Sequence, residues 1–126
     1  MGVTKFENMI GKVMASIIGK VGDDCMTFID EDGNRYSFKH YQDCCENVAI
    51  EDVCGDMSDL IGSPMLTAEE VDNLDGPVLK DEESYTWTFY RFGTSKGSVT
   101  IRWLGTSNGY YSERVDYSES KLPANK

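Results

Sequence analysis

The chain has 126 residues, 40% of them hydrophobic, and a formal net charge of −10 with a sequence pI near 4.4. That size suits one domain with one modest core. The charge argues against contact with nucleic-acid phosphates or an anionic membrane, and no apolar run reaches the ~18 residues of a membrane span.

The start, Met1 to Glu7, lacks the apolar stretch of a secretory signal, and Phe6 stands where a myristoylation motif needs Ser or Thr. Ile10 to Lys20 has a pattern open to helix or strand, and its bounding glycines favour a strand. Gly22-Asp23-Asp24 is a turn and Cys25 to Asp30 a strand. Glu31-Asp32-Gly33-Asn34 is a strong hairpin turn, because Asp-Gly tolerates positive φ. Arg35 to His40 returns with Tyr36, Phe38 and His40 on one face. Tyr41 to Asn47 reads as a loop or helical turn, and Val48 to Val53 as a strand or a helical start. Asp56 to Gly62 reads as a short helix capped by Asp56, ended by Gly62 and followed by Pro64. Met65 to Asn73 mixes helix formers with strand-length brackets, and a strand is favoured. Leu74 to Glu83 is linker-like. Ser84 to Phe92 and Ser98 to Leu104 are strands joined by a turn at Gly93 to Gly97. Asn108-Gly109 marks a second hairpin leading to a last strand, Tyr110 to Tyr117, with Ser118 to Lys126 as a frayed tail.

The expected fold class is therefore α+β, mostly β, an antiparallel sheet of about seven to eight strands with one or two short helices. The expected organisation is a single domain over 1–126: an N-terminal meander at 10–40, a helical and acidic middle at 41–83, a C-terminal three-strand sheet at 84–117, and the tail.

Charge is unevenly placed. Asp43 to Glu83 holds 13 acidic residues and one basic residue, Lys80, whereas Tyr85 to Tyr117 holds Arg91, Lys96, Arg102 and Arg114 against Glu113 and Asp116. Alternation sends Val99, Ile101 and Trp103 to the core and Thr100, Arg102 and Leu104 to the other face. Arg102 and Arg114 then share a polar face with Tyr110 and Tyr90. Guanidinium groups grip phosphate bidentately and aromatic rings offer stacking planes, so Arg91, Arg102, Arg114, Tyr90, Phe92, Lys96, Asn108 and Tyr110 are the candidate ligand-binding residues. The Gly93–Gly97 turn adds backbone N–H groups for an anion. Pairing of those arginines with neighbouring carboxylates is the plainer reading of the same pattern.

Other constellations are weaker. His40 with Cys44, Cys45 and Cys54 offers zinc ligand types, but no Cys-x-x-Cys knuckle exists, so small buried thiols with a hydrogen-bonded His40 are expected, and no metal or cofactor. Without a secretory signal the thiols are expected to be reduced. One histidine and scattered serines make no nucleophile–base–orienter set, so no catalytic residue is assigned. Glu51, Asp52, Asp56 and Asp59 lack EF-hand spacing; helix capping and a solvated acidic face account for them, and an acidic face can also imitate DNA.

Three stretches carry a family resemblance. They are Phe38-Lys39-His40-Tyr41-Gln42-Asp43-Cys44-Cys45-Glu46-Asn47-Val48, then Ile50 to Pro64 with Val53-Cys54-Gly55-Asp56-Met57-Ser58-Asp59-Leu60-Ile61-Gly62, and the ending Trp87-Thr88-Phe89-Tyr90, Val99-Thr100-Ile101-Arg102-Trp103 and Ser107-Asn108-Gly109-Tyr110-Tyr111-Ser112. Together they resemble a family of small phage and prophage proteins that includes the Thoeris anti-defence proteins of the first type. The resemblance implies a non-enzymatic sponge that holds a cyclic ADP-ribose isomer made by a bacterial TIR-domain enzyme, uncleaved. It further implies capture of cyclic di- or trinucleotides in some members, and a homo-oligomer (dimer or hexamer) in the cytoplasm of the bacterial host. The competing expectation is an acidic protein inhibitor that imitates DNA or docks on a basic host protein. The candidate site residues come from the sheet pattern, not from the resemblance.

Overall fold

In the computed structural model the described residues are 5–40, 46–71, 84–107 and 113–120. They form eight strands: β1 (Met14–Ile18), β2 (Cys25–Asp30), β3 (Arg35–Lys39), β4 (Asn47–Cys54), β5 (Thr67–Glu70), β6 (Ser84–Thr94), β7 (Gly97–Ser107) and β8 (Asp116–Ser120). The helical content among these residues is two 3-10 segments, Lys5–Met9 and Met57–Leu60. The mostly-β expectation holds, but the strands divide into two four-stranded antiparallel sheets, ordered β1-β2-β3-β8 and β4-β7-β6-β5.

The sheets pack face to face because each strand alternates apolar and polar positions. Met26, Phe28, Tyr36 and Phe38 from the first sheet meet Val48, Ile50, Tyr90, Phe92, Val99, Ile101 and Trp103 from the second. Their rings interlock, with Phe28 4.7 Å from Phe92 and Phe38 4.9 Å from Tyr90, in tilted pairs that favour aromatic contact. Met9 and Leu60, from the two 3-10 segments, and Met65 fill the ends of this core.

The β2–β3 hairpin shows how side-chain chemistry adds to pattern. Gly33 takes φ +88°, which glycine tolerates, so the chain reverses there. The Asp30 carboxylate accepts from the backbone N–H groups of Asp32 and Asn34, both at 2.9 Å, and from Tyr36 Oη at 2.8 Å. Burial alone pushes this carboxyl upward, yet the hydrogen bonds from Tyr36 and Asn34 outweigh it and hold it below the usual carboxylate value.

Two boundaries are corrected. Among the described residues the last strand is Asp116–Ser120, which pairs with β3 in the first sheet; residues 113–115 of the expected Tyr110 to Tyr117 strand lie outside any strand, and 110–112 lie outside the described residues. Among the described residues β6 and β7 are therefore flanked by β5 and β4 and not by a C-terminal strand, and residues 118–120 belong to a strand and not to a tail. Val115 and Tyr117 pack on the core, so hydrophobic demand draws this segment across to the open edge of β3. Asn108-Gly109 and the rest of that expected hairpin lie outside the described residues, as do Tyr41 to Cys45 and 72–83. The segments Val48 to Val53 and Met65 to Asn73 resolve as β4 and β5. Asp56 does cap Met57–Leu60, accepting from Ser58 N at 3.0 Å. No helix among the described residues is long and apolar enough to cross a membrane.

Candidate functional site

The sheet register decides which side chains can meet. Tyr90 pairs with Ile101 and Phe92 with Val99, which turns both aromatics into the core. Arg102 pairs with Phe89, one residue out of phase, so it points to the outer face of the second sheet. Tyr90 and Phe92 therefore do not share a surface with Arg102, which corrects the expected constellation.

The outer face carries its own group. Trp87 pairs with Leu104 and Phe89 with Arg102, and the Arg102 guanidinium carbon lies 4.9 Å from the Trp87 ring centroid. That distance is a cation–π contact. The opposite strand supplies the anchor. Ile50 pairs with Trp103 and Asp52 with Arg102, so Glu51 is the extra residue of a bulge. The bulge sets two successive carboxylates against one guanidinium. Glu51 Oε1 accepts from Arg102 Nε at 2.7 Å and Nη2 at 2.5 Å, and Asp52 lies 4.0 Å away. The Arg102 side chain keeps 25% of its surface exposed. A partly exposed cation is thus held over an indole, on the sheet face that also carries Leu104 and Tyr85. An arrangement of this kind can stack a planar ring and meet an anion at its rim.

The remaining candidates disperse. Arg91 lies on the same outer face but 3.6 Å from Glu69 on β5, an exposed pair. The turn expected at Gly93 to Gly97 is shorter, Ser95-Lys96 between β6 and β7; Lys96 donates to the Ile61 carbonyl at 2.6 Å and Thr94 Oγ1 to the Asp59 carbonyl, so these two donors serve the protein's own acceptors at the end of Met57–Leu60 instead of an anion. Arg114 is not on the second sheet. Asn108 and Tyr110 lie outside the described residues.

Arg114 instead belongs to a closed polar cluster at one end of the sandwich. His40 follows β3 and Glu46 precedes β4; His40 Nε2 is 2.7 Å from Glu46 Oε2, and Nδ1 is 2.7 Å from the Arg114 carbonyl oxygen. A carbonyl can only accept, and a carboxylate on the second nitrogen completes an environment suited to imidazolium. Burial disfavours that charge, but the bonds to Glu46 and the Arg114 carbonyl prevail and raise the His40 pKa above 6.5. Beside it, buried Glu113 accepts from Ser107 Oγ at 2.5 Å and Thr86 Oγ1 at 2.7 Å. Burial pushes Glu113 upward, yet hydrogen bonds from Ser107, Ser84 and Thr86 outweigh it and lower the pKa.

These facts bear on the metal alternative. Both ring nitrogens of His40 are engaged, and Cys54 ends β4 seven residues beyond Asn47, roughly 23 Å at about 3.3 Å per residue. His40 and Cys54 cannot share an ion, and no group of three metal-ligating side chains occurs among the described residues.

Glu51, Trp87 and Glu113 are the residues that pattern reading missed. The Glu51 bulge has no marker in the sequence; Trp87 could have been paired with Leu104 had the outer face of β6 been read along with that of β7. No curated protein and no solved structure matches this chain. Residues 7–117 match the model of a family described as Domain of unknown function (DUF7448), and the chain belongs to that family.

Proposed function

We propose that this protein binds a cyclic nucleotide immune signal and withholds it without cleavage, so that bacterial anti-phage defence is not triggered. The signal is a cyclic ADP-ribose isomer from a TIR-domain enzyme, and cyclic di- or trinucleotides are further ligands. The observation that supports this reading is the Arg102 guanidinium held against Trp87 on the outer face of the second sheet. A base stacks on such a platform, and a phosphate displaces the Glu51 carboxylate from a guanidinium already oriented. Leu104 and Tyr85 extend the ledge, and a second copy of the chain would enclose it, as a homo-oligomer in the host cytoplasm. High affinity without turnover requires only a preorganised, enclosed site.

The test is direct. Purified protein mixed with the cyclic ADP-ribose isomer should deplete it from solution, and heating should return it intact. Return of degraded nucleotide would mean an enzyme, and no depletion would end this reading. Arg102→Ala and Trp87→Ala should each weaken capture by roughly 10- to 100-fold, the worth of a charge-assisted bond or a stacking plane. The competing picture of an acidic inhibitor needs free carboxylates, whereas Glu51 is bound to Arg102 and Asp56 to Ser58. Charge reversal at Asp56 and Asp59, which do not touch Arg102, with retained capture would separate the two.

A further inference from the structure

A second cleft lies away from the Arg102 ledge. It has a volume of about 450 Å³ and is lined by Asn8, Lys12, Asn34, Tyr36, Glu119 and Ser120. That falls within the roughly 300–1,000 Å³ of small-molecule sites. Four segments build it: the 3-10 helix Lys5–Met9 and the residues after it, the β2–β3 turn, β3 and β8.

Its walls are fixed. Tyr36 Oη and Asn34 Nδ2 both donate to Asp30 Oδ2, at 2.8 and 3.0 Å. Glu119 pairs with Tyr36 in the β3–β8 register. Glu119 Oε2 accepts from Asn8 Nδ2 at 3.0 Å and Tyr117 Oη at 2.7 Å, which ties the helix to β8. The Lys12 backbone is held on two sides, its N–H by the Met9 carbonyl and its carbonyl by Met65 N–H.

Two groups are left over. Among the described residues, Glu119 Oε1 accepts no hydrogen bond and the Lys12 ammonium makes no ion pair. The two charges line one cleft and do not pair with each other. An unspent cation and an unspent carboxylate oxygen in one polar cleft complement a ligand that carries both signs.

We propose that this cleft binds a small zwitterion of the free α-amino-acid class, its carboxylate on Lys12 and its ammonium on Glu119. Asn8, Asn34 and Ser120 supply hydrogen bonds to the remainder. The site is independent of nucleotide capture.

The test is a titration of the isotopically labelled full chain with L-serine, followed by backbone amide NMR shifts. N-acetyl-L-serine, which lacks the ammonium, and L-serinamide, which lacks the carboxylate, are the comparison probes. Saturable shifts at Lys12, Tyr36, Glu119 and Ser120 are expected with L-serine, and at least ~10-fold weaker response with either comparison probe, since each loses one charge-assisted bond. Lys12→Met should abolish the advantage of L-serine over L-serinamide, and Glu119→Gln its advantage over N-acetyl-L-serine. Glutamine retains an acceptor for Asn8 and Tyr117, so this variant keeps the cleft wall. No saturable shift in the wild-type chain, equal response to all three probes, or shifts located elsewhere would each overturn the proposal.

Discussion

Two ion pairs of similar length sit in opposite surroundings. His40 and Glu46 meet at 2.7 Å with side chains 3% and 0% exposed, whereas Arg102 and Glu51 meet at 2.5 Å with side chains 25% and 38% exposed. Distance does not separate them; solvent does. In the closed pair each partner has lost its water, so each depends on the other, and the bond to the Arg114 carbonyl adds a third fixed point. In the open pair water stands ready to replace either partner, so the bond can be exchanged for one to a ligand at small cost. The difference teaches that the sandwich end is closed for folding, while the outer face of the second sheet holds its charge in exchangeable form.

The largest expected effect breaks the closed pair. Glu46→Ala takes from buried His40 Nε2 its carboxylate partner and should cost about 3–5 kcal/mol, read from the urea midpoint. A loss below ~1 kcal/mol would mean that this end is wetter than its burial indicates. Next comes Gly105→Ala, on β7. An added Cβ there would collide with the Glu113 carbonyl oxygen and lie 2.8 Å from Glu113 Cβ. Because backbone is the obstacle, the segment carrying Glu113 must shift, at about 1–3 kcal/mol. Gly93→Ala, on β6, provides the control: its nearest contact would be 3.4 Å, and the smaller loss sharpens the argument from close approach.

Pattern reading succeeded wherever period 2 and turn chemistry set the answer. It found β2, β3, β6 and β7, the core faces of Val99, Ile101 and Trp103, and the Asp56 cap, because each is a local choice. It failed where partners are distant in sequence. β8 joins β3 across some eighty residues, a pairing that no local signal specifies. The bulge at Glu51 is likewise invisible, since one extra residue changes the side on which every later side chain falls. The candidate site inherited both errors. Arg114 was drawn into the second sheet by the misplaced strand, and Tyr90 was put on the face of Arg102 although β6 pairs it with Ile101. Arg102 itself was found, because its place opposite the Trp103 core face follows from alternation alone.

A smaller effect comes from pH. The His40 pKa is raised above 6.5 in the folded protein, so its contribution is whole below pH 6.5 and is lost as pH rises through the folded value. Glu113 and Asp30 run the other way: their lowered values give stability that is present above 4.5 and 3.8 and fades as pH falls toward the folded values. Wild-type protein should therefore lose stability as pH rises from 6.5 through the folded His40 value, and Glu46→Gln should flatten that slope while leaving the acid limb in place. An unchanged alkaline slope in Glu46→Gln would remove Glu46 as its origin.

The smallest effect is expected in the open pair, and its smallness is the point. A double-mutant cycle of Arg102→Met with Glu51→Gln should give a coupling of at most ~1 kcal/mol, because both side chains remain partly solvated. Methionine keeps much of the apolar stem over Trp87, so the cycle isolates charge from packing. The coupling should shrink further in ~1 M salt, where the screening length falls to about 3 Å. A matching cycle of His40→Gln with Glu46→Gln should resist salt, since no ions reach a pair so enclosed. Should the Arg102–Glu51 coupling exceed ~2 kcal/mol and ignore salt, Glu51 would be a fixed structural partner. Phosphate could then not displace it, and the outer face would lose its claim to be the exchangeable one. A weak, salt-sensitive coupling leaves Arg102 oriented by Glu51 yet free to change partners, which is what a ligand-gripping guanidinium on that sheet requires.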